Sequence, residues 1–390
     1  MRNCLVKFSS QPKIKVGLAL FLALSLFSEL LLNAMPVEAR PEPEGSQSLP
    51  PVSSLYFEET GHLLSSYFLD YWQTQGGYME FGPPISEEYV DPLRGKTIQY
   101  FGKARFELAP LPRERGWKVE LGVINSEILA SRLPWNDDHA RALKPLAKGY
   151  DDYNTKFFKQ TGHSVTEAFY DRWTDANGIG NRRNVTQSDE IYFPITRYGL
   201  PISEPYTLNI SGTRYKAQDF ERVRMLQTAD GSVLLDSIGQ LTPGIDREAI
   251  ARVGNQNGAT PYSRKTMPRW VDVNLTNQTA IFLEAGMPVR RNLITSGEWK
   301  FETPIGSFPI WSRVPNERMK NGKPGEPDYY DLSGVLYTQY FTVQGHALHY
   351  AWWRSTFGYR GSHGCINQDI NTSRFAWDFL TIGDKVVIHY

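Results

Sequence analysis

Hydrophobic and polar residues follow different patterns in different parts of the chain, and the N-terminus differs most from the rest. An uninterrupted apolar run covers residues 16–28 and follows a basic stretch, as in a secretory signal peptide. Val37-Glu38-Ala39 places small residues at the two positions that a signal peptidase reads. We therefore expect residues 1–39 to be a signal peptide and the protein to be exported. The alternative is an uncleaved anchor, because residues 16–34 are nearly long enough to span a bilayer.

An internal repeat follows a short linker. Residues 40–54 are rich in Pro, Ser and Glu, which predicts a flexible linker. Three motifs then occur twice. Thr60-Gly61-His62 recurs as Thr161-Gly162-His163 and Trp72 recurs as Trp173, both 101 residues later. Pro84-Ile85-Ser86 recurs as Pro201-Ile202-Ser203, 117 residues later. The growing displacement indicates an insertion in the second copy, around residues 179–192.

Each copy begins with apolar residues at helical spacing and continues into short alternating runs typical of strands. The pattern predicts two small α+β modules, residues 55–148 and 149–242. His62 and His163 are either ligands or residues with a repeated structural role, and the second interpretation needs fewer assumptions.

The C-terminal part has a different pattern. Residues 243–268 are rich in Gly, Pro and Asn, which predicts a second linker. From residue 269 onward, β-forming residues alternate or cluster at 271–275, 279–283 and 385–390, and a helical stripe covers 372–380. We therefore predict a multidomain protein in which residues 269–390 form a mostly β, sandwich-like domain with one short helix.

Composition and charge narrow the function. The chain has 390 residues, 41% hydrophobic and 13% aromatic, which argues against disorder. Its 42 Lys and Arg residues balance 42 Asp and Glu residues, so no electrostatic feature predicts binding to nucleic acid, or to a membrane except through an uncleaved leader. Of the two cysteines, Cys4 lies in the leader, and Cys365 would be a lone thiol in an oxidising compartment.

Three histidines lie close to that cysteine in the sequence: His346, His349 and His363. A cysteine with nearby imidazoles is typical of nucleophilic catalysis, in which the thiolate attacks a carbonyl and a histidine transfers the protons. The glycine before Cys365 permits an unusual turn whose N–H groups could converge on an oxyanion. A zinc site is the alternative, but the spacing supplies too few ligands. We predict neither a metal nor a cofactor. A purely structural role for the cysteine and the histidines is a further alternative.

Residues 269–390 resemble the L,D-transpeptidase catalytic domain, a family of cysteine enzymes that remodel bacterial peptidoglycan. The resemblance rests on His349, twelve intervening residues, and then Ser362-His363-Gly364-Cys365-Ile366-Asn367. Further matches are Trp353, Phe357-Gly358, Ser296-Gly297 and the segment from Thr303 to Phe308. The two modules resemble a short repeat found beside catalytic domains in exported bacterial proteins.

The resemblance implies that Cys365 is the nucleophile and that His349 is its general base. It also implies that the backbone amides of His363, Gly364 and Cys365 form an oxyanion hole. Ser362 and Asn367 complete this motif, and Asn367 would brace the turn.

Three further residues are candidates for the substrate groove: Trp353, Tyr350 and Phe357. Tyr350 departs from the family pattern, because many relatives carry Gly or Ser directly after the histidine. The group that orients the His349 imidazole, a backbone carbonyl or a hydroxyl, therefore stays open.

The implied function is peptidoglycan cross-linking, with donor and acceptor stem peptides as partners. The enzyme would release D-Ala from a tetrapeptide stem and act in the periplasm or cell wall, and the repeat modules could bind the wall. The alternatives are an L,D-carboxypeptidase on the same fold and a catalytically inert wall-binding protein. The polar stretch 310–344 is either a lid over the cleft or a solvated connection.

Overall fold

A computed structural model describes residues 54–111, 116–152, 154–175, 189–255, 258–326 and 328–390, with the side chains of 189–193 left out. The predicted signal peptide, nearly all of the first linker and most of the predicted insertion at 179–192 lie outside the described residues. The described residues belong to one compact unit.

The first part of the described chain combines short strands with helices. Its elements are β1 (Ser54–Phe57), β2 (His62–Ser65), α1 (Ser66–Thr74), α2 (Gly77–Phe81), β3 (Tyr89–Asp91), β4 (Lys96–Tyr100), β5 (Arg105–Pro110), β6 (Trp117–Leu121), α3 (Ile124–Ser131) and α4 (Asp137–Ala142). Strands β3 to β6 form an antiparallel sheet in sequence order. Helix α1 buries Phe68, Leu69 and Trp72, which accounts for the helical spacing of the apolar residues.

The next part has a similar order of elements. They are β7 (Thr155–Phe158), β8 (His163–Thr166), α5 (Glu167–Thr174), α6 (Asp189–Tyr198), β9 (Tyr206–Ile210), β10 (Thr213–Asp219), β11 (Arg224–Gln227) and β12 (Val233–Leu235). Strands β9 to β12 form a second antiparallel four-stranded sheet.

Residues that match in the two sequence copies make matching contacts. The indole N–H of Trp72 donates to the Gly82 carbonyl at 2.9 Å, and that of Trp173 donates to the Gly199 carbonyl at 3.0 Å. Both repeated histidines are buried, and each ring approaches a glutamate: His62 Nδ1 lies 3.0 Å from Glu87 Oε1, and His163 Nδ1 lies 3.3 Å from Glu204 Oε1. The two histidines therefore occupy equivalent buried positions, each beside a glutamate.

The segment predicted to be a second linker contains a strand, β13 (Thr260–Tyr262). It pairs in parallel with β1, with Leu55 opposite Thr260, and extends the β1–β2 hairpin to three strands. This pairing joins the segment that precedes the C-terminal domain to the first described strand.

The C-terminal domain is mostly β, as predicted. Its elements are β14 (Arg269–Asn274), β15 (Thr279–Glu284), β16 (Met287–Leu293), β17 (Gly306–Pro309), β18 (Ser312–Asn321), β19 (Tyr330–Tyr340), β20 (Ala347–Tyr350), β21 (Ile366–Gln368), α7 (Ile370–Phe379) and β22 (Lys385–His389). The strands form two sheets, with the orders β16-β15-β14-β22-β17 and β18-β19-β20-β21.

The two sheets and α7 share one hydrophobic core. Val271 and Ile388 of the first sheet, Leu348 and Ile366 of the second, and Phe379 of the helix are all buried in it. This arrangement confirms the prediction of a β-rich, sandwich-like domain with a short helix. The helix begins two residues earlier than predicted, because the Asp369 carboxylate caps it by accepting the Thr372 N–H at 2.9 Å.

Buried charges lie between helix α2 and helices α5 and α6. Glu80 of α2 pairs with Arg172 of α5 at 2.8 Å and with Arg197 of α6 at 3.4 Å, and it accepts from the Tyr198 hydroxyl at 2.8 Å. Burial alone would raise the pKa of Glu80, but the two arginines and the hydroxyl outweigh it and lower the pKa to about 2. The carboxylate therefore stays ionised inside this junction.

Among the described residues, no helix combines the length and the apolar character needed to cross a membrane.

Candidate active site

Strand register explains how the candidate residues come together. Strands β20 and β21 pair in parallel, with Leu348 opposite Ile366 and His349 opposite Asn367. Leu348 and Ile366 face the core, so His349 and Asn367, one position further along each strand, face the other side of the sheet. Cys365 directly precedes β21, and its thiol receives a hydrogen bond from the Ala347 N–H on β20.

A tight turn presents the thiol. Ser362 Oγ donates to the Cys365 carbonyl at 2.5 Å and accepts the Gly364 N–H at 3.2 Å, so one hydroxyl bridges both sides of the turn. Gly364 has φ +100°, and a Cβ there would lie 2.7 Å from Cδ2 of His346. The turn therefore requires glycine both for its backbone angle and for the close approach of the imidazole.

Residues from outside the motif brace the same turn. Thr303 Oγ1 donates to the Gly364 carbonyl at 2.9 Å and accepts the Gly297 N–H at 2.9 Å. Asn367 exchanges two backbone hydrogen bonds with Thr295, at 3.0 and 2.8 Å. These contacts place the predicted Ser296-Gly297 and Thr303 motifs directly behind the Cys365 turn.

A backbone carbonyl orients the His349 imidazole. Nδ1 lies 2.9 Å from the carbonyl oxygen of Tyr350. Because a carbonyl can only accept, Nδ1 carries the proton, and Nε2 of the neutral ring is left as an acceptor. The Trp353 ring packs against the imidazole, with 5.8 Å between the ring centroids. Of the two orienting groups left open by the sequence, the structure contains the carbonyl.

Burial keeps the His349 imidazole and the Cys365 thiol neutral. It lowers the pKa of His349 to about 4, with the Tyr350 carbonyl opposing and the Arg354 cation adding to the shift. It raises the pKa of the Cys365 thiol to about 11, with the Ala347 N–H opposing and the Glu317 carboxylate adding. At neutral pH the two side chains are therefore an uncharged thiol and an uncharged imidazole.

The candidate residues line a cavity of about 230 Å³. Its walls are Met319, Tyr330, Leu332, His349, Trp353, Arg354, Gly361, Ser362, His363, Cys365 and Asn367. His363 is exposed at the rim, with its ring between Phe301 at 4.4 Å and Tyr330 at 5.2 Å.

Six of the predicted site residues therefore share one cavity: Cys365, His349, Ser362, His363, Asn367 and Trp353. Gly364 is buried in the turn that leads to the thiol. Tyr350 contributes its carbonyl to His349, and neither it nor Phe357 is among the residues that line the cavity. His346 packs on Gly364 and shares a 2.8 Å hydrogen bond with Thr342 Oγ1.

Sequence reasoning missed the residues that the β18–β19 hairpin contributes. This hairpin occupies most of the stretch 310–344, and Met319, Tyr330 and Leu332 form part of the cavity wall. Arg354 was also missed, although its position between the histidine and cysteine motifs was a usable signal. Across the described residues, no group of three or more His, Cys, Asp or Glu side chains is arranged to hold a metal ion.

A known family matches the C-terminal domain. Residues 268–388 match the YkuD family, the L,D-transpeptidase catalytic domain. No match was found among curated proteins.

Several solved structures are similar. An L,D-transpeptidase from Mycobacterium smegmatis has 18% identity and a TM-score of 0.31, with 48% of this chain and 77% of that chain covered. L,D-transpeptidase 3 from Mycobacterium tuberculosis, in complex with a faropenem-derived adduct, has 20% identity and a TM-score of 0.31, with 34% and 62% covered. The catalytic domain of an E. faecium L,D-transpeptidase has 25% identity and a TM-score of 0.28, with 31% and 96% covered.

Proposed function

We propose that this chain, whose residues 268–388 form a YkuD L,D-transpeptidase catalytic domain, is an exported enzyme that cross-links peptidoglycan through an acyl-enzyme on Cys365. The observation that carries the proposal is the β20–β21 register, which puts His349 and the Cys365 thiol in the wall of one cavity. The Tyr350 carbonyl supports it further, because it leaves Nε2 of His349 able to accept a proton.

In the first half-reaction, His349 Nε2 takes the proton from the Cys365 thiol as sulfur attacks the carbonyl carbon of the third residue of a tetrapeptide stem. N–H groups of the Ser362–Cys365 turn would stabilise the oxyanion that develops. The carbon–nitrogen bond then breaks, His349 returns the proton to the departing amine, and D-Ala leaves. A thioester on Cys365 remains.

In the second half-reaction, the side-chain amine of an acceptor stem attacks the thioester. His349 takes a proton from this amine and passes it to the sulfur as the carbon–sulfur bond breaks. A new amide joins the two stems, and the thiol is restored. If water attacks instead, the product is a tripeptide, and the enzyme is an L,D-carboxypeptidase.

The test is incubation of the protein with disaccharide-tetrapeptides, followed by separation of the products. We expect D-Ala and cross-linked dimers from the wild type, and neither from Cys365→Ala. Tripeptide without dimers would favour the carboxypeptidase, and the absence of any product would favour the inert wall-binding protein.

For the N-terminal part, the proposal includes two repeat modules that hold the catalytic domain at the wall. The matching hydrogen bonds of Trp72 and Trp173 support a common fold for the two modules. Co-sedimentation of residues 54–390 with purified sacculi tests wall binding, with the Cys365→Ala protein as a control for binding through acylation. If the protein stays in the supernatant, the modules do not bind the wall and act only as spacers.

A further inference from the structure

Arg354 is the one permanently charged side chain among the described residues that line the catalytic cavity, and no Asp or Glu lines it. The other walls are mostly apolar side chains or residues of the reactive motif. The Glu317 carboxylate, which helps to raise the pKa of Cys365, is not among the lining residues. Because an unmatched cation in a partly buried site favours an anion, the part of the cavity beside Arg354 suits a substrate group that carries a negative charge.

The chain holds Arg354 in place without neutralising it. The side chain is half-buried, Nη2 donates to the Gly361 carbonyl, and Nη1 lies 3.4 Å from the Tyr359 hydroxyl. Both partners are uncharged, and within the described part of the chain no carboxylate forms an ion pair with Arg354. A guanidinium has five N–H donors, so this fixed group still has N–H groups to offer a ligand.

Its position relative to His349 indicates which anion it meets. The guanidinium is close enough to His349 to help to lower the pKa of the imidazole. In the proposed reaction, His349 delivers a proton to the nitrogen of the departing amino acid. The carboxylate of an α-amino acid is one carbon away from that nitrogen, so a cation beside His349 is within reach of it.

We propose that Arg354 binds the C-terminal carboxylate of the donor stem and so selects stems that end one residue after the scissile bond. The inference rests on the proposed function. Arg354 undergoes no covalent change: it holds the carboxylate while the thioester forms and releases it with D-Ala. A stem with a further residue, or with an amidated C-terminus, has no carboxylate at this position and loses the interaction.

The test compares two donors that differ only at the C-terminus, a tetrapeptide stem with a free carboxylate and its carboxamide. We expect wild type to favour the carboxylate in kcat/KM by roughly 10- to 100-fold, the range for a hydrogen bond between charged groups. Arg354→Gln should bring this ratio close to one by slowing the carboxylate donor alone. Arg354→Lys should keep part of the preference.

Arg360→Gln is the matched control, because Arg360 lies in the same loop but stacks on Trp299 outside the cavity, 4.6 Å from the ring centroid. The Arg360→Gln protein should have the same ratio of kcat/KM between the two donors as the wild type. An equal loss on both donors in Arg354→Gln would overturn the proposal, since a purely structural residue would give that result. A wild-type ratio near one would overturn it as well.

A binding measurement separates failure of this inference from failure of the proposed function. Calorimetry of both peptides with Cys365→Ala protein needs no turnover, and it should show the same preference, lost on adding Arg354→Gln. If the protein binds the carboxylate peptide more tightly but the wild type turns over neither donor, the carboxylate site stands and the proposed transpeptidase activity is overturned. Equal affinities for both peptides would overturn the carboxylate site alone.

Discussion

The neutral state of the Cys365–His349 pair predicts how the thiol reacts with a small neutral alkylating agent such as iodoacetamide. Thiolate is the reactive form, and burial raises the thiol pKa from 9.0 to about 11. The pKa of His349, about 4, leaves no imidazolium above pH 6 to stabilise a thiolate. We therefore expect no population of preformed ion pair in the resting protein.

The magnitude follows from the shift. A pKa two units above the ordinary value reduces the thiolate fraction at pH 7.5 about a hundredfold, since each unit is a factor of ten. The alkylation rate should rise about tenfold per pH unit from pH 6.5 to 9.5 without reaching a plateau. His349→Ala should change the rate less than threefold, because a neutral imidazole does not lower the thiol pKa.

The assay uses the Cys4→Ser chain, in which Cys365 is the one remaining thiol. Alkylation is followed by intact mass at several pH values, and the same chain in urea is the reference for an unperturbed thiol. The folded chain should react about a hundredfold more slowly than the unfolded chain at pH 7.5. A plateau below pH 8 that disappears in His349→Ala would refute the reasoning, because it would show a thiolate–imidazolium pair.

Three substitutions test other parts of the account. Gly364→Ala puts a Cβ 2.7 Å from His346 on a backbone with φ +100°. It should lower the unfolding free energy by about 1–3 kcal/mol and abolish most of the activity, whereas an active and equally stable variant would contradict the turn geometry. Tyr350→Ala should keep activity within about threefold, because the Tyr350 carbonyl, which remains, orients His349; a hundredfold loss in kcat would show that the side chain is needed. Glu80→Gln should cost about 3 kcal/mol of unfolding free energy at pH 7, since the pKa of Glu80 falls from 4.5 to about 2 on folding. The lowered pKa stabilises the folded protein fully above pH 4.5, and this contribution is lost as the pH falls toward 2. Urea unfolding should therefore show a smaller cost at pH 3, and a cost independent of pH would contradict the assignment.

Local patterns in the sequence predicted much of the C-terminal domain. Alternation predicted β14 and β15, and the apolar stripe at 372–380 predicted α7, because these signals depend on residues a few positions apart. The predicted start of α7, residue 372, lies two residues after the observed start, because the cap residue Asp369 lies outside the apolar stripe.

Pairing between strands that lie far apart in the sequence could not be predicted from local patterns. Strand β13 pairs with β1 about 200 residues away, and nothing in either segment alone specifies the other. The hairpin residues Met319 and Tyr330 line the cavity, and the register of the β18–β19 pair shifts between Glu317 and Met319, which the sequence pattern does not reveal.

The candidate site was more predictable because its residues lie in two short segments that pair directly. His349 and Cys365 are close in sequence, and the parallel register of β20 and β21 brings both into one cavity. The orientation of His349 could not be predicted, since it depends on the direction of a backbone carbonyl rather than on the type of residue at position 350.

The central claim, an acyl-enzyme on Cys365, is tested most directly by mass spectrometry of the Cys4→Ser chain mixed with a disaccharide-tetrapeptide donor in the absence of acceptor. The account predicts one molecule of D-Ala released per enzyme in the first turnover. It also predicts that the proteolytic fragment containing Cys365 gains the mass of the donor minus D-Ala and that Cys365→Ala shows neither. Release of D-Ala by the Cys365→Ala protein at the wild-type rate, or an adduct on another residue, would contradict it.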